Sequence, residues 1–72
     1  MIALQQAVDK AKNFLSTSAG VPTLYCTLNT VSKENTKWVV TFKYSAFMVE
    51  SLYTVEVDDK GEIIGYTRGD IK

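Results

Sequence analysis

The chain has 72 residues, 46% of them hydrophobic and 22% charged, with 8 Lys and Arg balanced by 8 Asp and Glu. That length fits one domain spanning residues 1–72, and the composition is that of a globular chain rather than a disordered one. Zero net charge and no basic cluster argue against partners that demand surplus cations, so neither nucleic acid nor an anionic membrane surface is expected.

The first segment, residues 2–18, reads as a helix. Leu4, Val8, Ala11 and Leu15 recur at helical spacing, Ala7 and Phe14 widen the apolar stripe, and Gln5, Gln6, Asp9, Lys10 and Asn13 take the other face. Gly20 and Pro22 supply the stop, a residue that accepts the left-handed conformation followed by one that cannot continue a helix.

After Pro22 the period changes to two, which predicts strands at about 23–31, 37–45, 50–58 and 62–68. Leu24, Cys26 and Leu28 share one phase of the first strand. In the middle pair, setting Trp38 opposite Val57 also sets Val40 opposite Val55 and Phe42 opposite Tyr53, which makes one apolar face. The same register puts Lys37 opposite Asp58 and Thr41 opposite Thr54, so both faces agree on it. Turns are expected at Ser32–Asn35, near Ala46–Val49, and at Asp58–Gly61, where Asp-Asp-Lys-Gly suits a type I turn closed by a left-handed Gly. Ile63 and Ile64 are adjacent and cannot both face inward, and their order is left open. Short connections make neighbours of successive strands, giving an α+β fold with one N-terminal helix packed on a four-stranded antiparallel meander.

Catalytic chemistry has no visible carrier. The chain lacks His, hence the usual base near neutral pH and the commonest metal ligand. Cys26 is the sole cysteine and sits between apolar neighbours in phase, where a thiol is inert. Glu56, Asp58, Asp59 and Glu62 form an acidic cluster, but turn chemistry accounts for the two aspartates and the Gly that follows. Arg68-Gly69-Asp70 spells a short adhesion tripeptide, and three residues carry too little information to assign that role. No enzyme activity, cofactor or metal is therefore expected. With no signal-like N-terminus and no disulfide pair, the expected compartment is a reducing cytoplasm.

Two features exceed what a minimal core needs. The outward phase of the sheet carries Tyr25, Val31, Val39 and Leu52 with one isoleucine, Ile64 being the candidate. Solvated faces are mostly polar, so these residues read as a contact patch. Ala46-Phe47-Met48-Val49 falls where the long hairpin must turn, yet it contains no Gly, Pro, Asn or Asp.

The order of helix, Trp-initiated strand Trp38-Val39-Val40-Thr41-Phe42, and Tyr53-Thr54-Val55-Glu56-Val57-Asp58-Asp59-Lys60-Gly61-Glu62-Ile63 resembles PepSY domains. More loosely it is similar to the cystatin-like layout of a helix on an antiparallel sheet. The resemblance implies a non-enzymatic module, some members of the family being thought to restrain proteases.

The expectation is a small non-catalytic binding or assembly module acting through the outer sheet face or the Phe47-Met48 tip. Its partner is a second copy of the chain, as a homodimer, or another protein. The alternative is a small-molecule-binding domain, with a pocket between helix and sheet lined by Phe14, Trp38, Phe42 and Tyr53.

Overall fold

A computed structural model describes residues 2–70, so Met1, Ile71 and Lys72 of the expected domain lie outside the described residues. Helix α1 spans Leu4–Thr17 and a 3-10 turn spans Thr23–Tyr25. Strands β1 (Cys26–Glu34), β2 (Lys37–Ala46), β3 (Val49–Asp58) and β4 (Ile63–Asp70) follow. The four strands form one antiparallel meander in the order β1-β2-β3-β4, with α1 across one face, which is the expected fold. No helix among the described residues is long and apolar enough to cross a membrane.

The start of α1 is tied by the Ala3 N–H donating to Gln6 Oε1 at 2.9 Å. At its end Ser18 and Ala19 both donate to the Phe14 carbonyl, and Gly20 takes φ +69. That left-handed residue turns the chain so that Val21 enters the core, 7% exposed. Ala7, Ala11 and Leu15 are fully buried, facing Val40, Phe42, Tyr53, Val55 and Val57 of the sheet. Two alanines on this stripe let the helix axis lie close over the strands.

The central hairpin has the register read from its two faces, with Trp38 opposite Val57, Val40 opposite Val55 and Phe42 opposite Tyr53. The Asp58 turn also follows the expected form. Gly61 takes φ +88 and donates to the Asp58 carbonyl at 3.1 Å. Asp58 Oδ1 accepts the Lys60 and Glu62 N–H groups at 2.9 and 2.8 Å.

The first strand departs from expectation. Thr23–Tyr25 follow Pro22 as a 3-10 turn, so β1 begins at Cys26 and leaves Leu24 85% exposed. The strand then runs on to Glu34, which pairs with Lys37 across a two-residue turn with Asn35 at φ 55. Asn tolerates that conformation because its short polar side chain bonds locally. A bulge at Asn29 shifts the register, so Leu28 faces Phe42 while Val31 faces Val40. Val31 is thus half-buried against the core rather than outward, because the extra residue changes its phase.

A second bulge orders the two isoleucines. Ile63 pairs with Val57 and packs on the core, while Gly65 pairs with Glu56. Ile64 is the extra residue between them and is 53% exposed.

Candidate binding surface at the hairpin end

Helix and sheet differ in length. The 14 residues of α1 extend about 21 Å at 1.5 Å per residue. The 10-residue strands β2 and β3 extend roughly 33 Å. The N-terminal end of α1 is pinned at the Trp38 end of the sheet, where Trp38 Nε1 donates to the Ile2 carbonyl at 3.3 Å. The overhang therefore falls at the opposite end, toward the β2–β3 turn, where inward-facing side chains continue past the end of the helix.

Those side chains are aromatic. Phe14 meets Tyr66 edge-on at 5.3 Å between ring centroids, and Tyr66 stacks parallel to Tyr53 at 6.2 Å with 8° between planes. Tyr53 meets Tyr44 at 6.2 Å, Tyr44 meets Tyr25 at 6.1 Å, and Tyr25 meets Phe47 at 5.8 Å. Six rings thus form a continuous run from the helix to the hairpin tip. None of the four tyrosine hydroxyls in it has a hydrogen-bond partner among the described residues. Burial pushes the Tyr53 phenol above its ordinary value, with the Arg68 guanidinium opposing that shift. The Arg68 Cζ lies 6.0 Å from the Tyr53 ring centroid.

Between this run and the 19–22 turn lies an open cleft of about 360 Å³. Tyr44, Tyr53, Tyr66 and Phe47 supply its rings, and Arg68 is the sole charged side chain among the described lining residues. At its rim, Ala46 pairs with Val49, so Phe47 and Met48 alone make the turn, with φ 54 and φ 66. Two positive φ values define the hairpin turn whose twist matches the strands, a conformation ordinarily filled by Asn-Gly. Here it holds a phenylalanine 81% exposed and a methionine 99% exposed.

Of the residues anticipated as contacts, Phe47, Met48 and Tyr25 come together at this end. Tyr25 belongs to the 3-10 turn and the helix side, not to the outer face, because β1 starts one residue after it. Val39, Leu52 and Ile64 do not form a patch. Val39 faces Glu56 and Leu52 faces Lys43, with the Thr41–Thr54 pair between those rows. Both Val39 and Leu52 are half-buried by their neighbours, and Ile64 sits at the bulged start of β4. The outer face is threonine-rich and mixed in charge, so it lacks the contiguous apolar area a contact needs.

The four-residue pocket also forms differently. Phe42 and Tyr53 are core residues, 3% and 7% exposed, and Trp38 stands at the far end of the sheet. Only Tyr53 of the four lines the cleft. Tyr44, Tyr66, Arg68 and the 19–22 turn were not anticipated, although the mismatch between helix and strand lengths was countable beforehand. Cys26 is half-buried, its Sγ donating to the Pro22 carbonyl at 3.7 Å. Burial raises its thiol pKa, with Lys12 pulling the other way. Arg68, Gly69 and Asp70 lie within β4, paired with Tyr53, Leu52 and Ser51.

Compared with family models, curated proteins and solved structures, the chain matches none.

Proposed function

We propose that the chain is a non-catalytic binding and assembly module that contacts another polypeptide through its hairpin end, with Phe47 and Met48 as the anchor. The tip carries this reading. Each bulky residue held in the left-handed region costs roughly 1–2 kcal/mol, and two large apolar side chains are displayed to water there. An Asn-Gly pair would close the same turn without either cost, so the fold alone does not account for Phe47-Met48. Backbone outliers of this kind are retained where a contact repays them. The neighbouring Tyr25 and Val49, 39% and 47% exposed, extend the apolar area. Tyrosine and phenylalanine are also the side chains enriched at protein contacts.

A second copy is the first partner, because zero net charge leaves no long-range repulsion between copies. Sedimentation equilibrium tests this. The wild type self-associates at micromolar concentration, and Phe47→Asp abolishes association while leaving the far-UV circular dichroism unchanged. Identical sedimentation of wild type and Phe47→Asp overturns the tip as anchor. The PepSY resemblance agrees with a non-catalytic role. The cleft supports a second reading as a small-ligand site, since about 360 Å³ reaches the range such sites occupy. A thermal-shift screen against metabolites tests that reading.

A further inference from the structure

Two exposed features lie side by side at the hairpin end, one convex and one concave. The convex one is the tip, where Met48 is 99% exposed and Phe47 81%. The concave one is the open cleft of about 360 Å³ between the 19–22 turn and the inner face of the sheet. Phe47 belongs to both, forming half of the turn and part of the cleft wall. Ala19, Gly20 and Pro22 bound the cleft on one side, and Tyr44 and Tyr66 on the other. Arg68, the charged residue of the described lining, is engaged within its own chain, so the cleft calls for no ionic ligand.

We infer that this cleft is the seat of Met48 from a second copy, in a two-fold dimer where each tip enters the other's cleft, which rests on the tip being the anchor of self-contact. Area disfavours a contact of tip against tip. Even at the aromatic maximum of roughly 250 Å² per side chain, Phe47 and Met48 of two copies would bury about 1,000 Å². A specific interface needs roughly 1,200 Å² or more. Seating each tip in a cleft adds the walls of both clefts to the contact. Because tip and cleft are neighbours in one molecule, a single two-fold operation makes both junctions at once and closes the assembly at two copies. Methionine suits the seat: it is unbranched, adapts to an irregular space, and makes favourable sulfur–aromatic contacts, for which Tyr44 and Tyr66 supply the rings. The turn carbonyls of Phe47 and Met48 lie outside the strand pairing and are acceptors for the tyrosine hydroxyls of the wall.

The test is an isotope-filtered NOE measurement on the full chain, mixing protein labelled at its methionine methyl groups with unlabelled protein. Contacts are expected between the Met48 methyl of one copy and the Tyr44 and Tyr66 rings of the other. Ala19→Trp fills the cleft from the wall opposite those tyrosines and leaves the tip untouched. It should weaken the dimer about tenfold in sedimentation equilibrium, with far-UV circular dichroism as in wild type. If that variant loses its helical signal, the NOE pattern alone decides. Methyl contacts confined to Phe47 and Met48 of the other copy, or a wild-type Kd for Ala19→Trp, overturn the cleft as the seat. Where Phe47→Asp still abolishes association in that case, the tip stands without the cleft. A wild type that stays monomeric at millimolar concentration overturns both.

Discussion

The Glu56 carboxylate lies across Gly65 of the neighbouring strand, in space that a side chain at Gly65 would occupy. A Cβ there would come within 2.7 Å of Glu56 Oε1 and 3.3 Å of Glu56 Cβ. The bare backbone lets Glu56 lean over β4 while its Oε1 stays 3.2 Å from Lys37 Nζ. Gly65→Ala should displace the carboxylate and weaken that ion pair. Both partners are about one-third exposed, so the loss is under about 1 kcal/mol. Urea unfolding checks it. In a Glu56→Ala background the same change should become neutral or stabilising, since alanine then only restricts the unfolded chain.

Thr41 closes the β1 bulge. Its Oγ1 accepts the Thr30 N–H at 2.9 Å, donates to the Thr30 carbonyl at 3.2 Å, and meets the Thr30 hydroxyl. Thr41→Val keeps the shape and removes those bonds, at a cost of about 0.5–1.5 kcal/mol. Thr54→Val, directly opposite on β3, should stay within about 0.5 kcal/mol of wild type. Equal unfolding midpoints for the two variants would show that the bulge does not depend on Thr41.

Asp58 organises the last turn through its carboxylate. The Glu62 N–H, then the Lys60 N–H, hold its pKa below the ordinary value of 3.8. A depressed carboxylate contributes stability that is present above its unfolded pKa and lost as pH falls through the folded one. Wild type should therefore lose urea resistance progressively below about pH 3.8. Asp58→Asn keeps an acceptor oxygen without the charge, so its acid limb should be flatter. Superimposable acid profiles would contradict this role for Asp58.

The middle hairpin was legible because two independent faces demanded one register, and a slip of one residue would have reversed both. The bulges at Asn29 and Ile64 were not. An inserted residue changes the phase of everything beyond it; Ile64 is an ordinary strand residue, and Asn29, though a residue type uncommon in strands, does not by itself fix where a bulge falls. That is why simple alternation puts Val31 on the wrong face, and why the adjacent isoleucines leave only an ambiguity. The tip was legible as a turn without turn formers, but its left-handed geometry comes from the strand register, which leaves two residues to reverse the chain. The cleft needed the placement of α1 along the strands, a tertiary fact that periodicity does not hold.

The tip offers the most direct separation of stability from binding. Phe47 and Met48 occupy both left-handed positions of a two-residue turn and are almost fully in water. Replacing them together, Phe47→Asn with Met48→Gly, installs residues that reach those φ values with little strain. The strands and their pairing from Ala46–Val49 onward stay as they are. Stability should rise by about 1–3 kcal/mol, read as a higher urea midpoint with an unchanged slope. Self-association should fall at the same time, because the anchor side chains are gone. A variant that gains stability but associates like wild type would make the tip strained yet idle. One that gains none would mean that the left-handed pair costs the fold nothing, which removes the argument for a contact at Phe47 and Met48. Gain and loss appearing together are what a contact retained against the preference of the backbone requires.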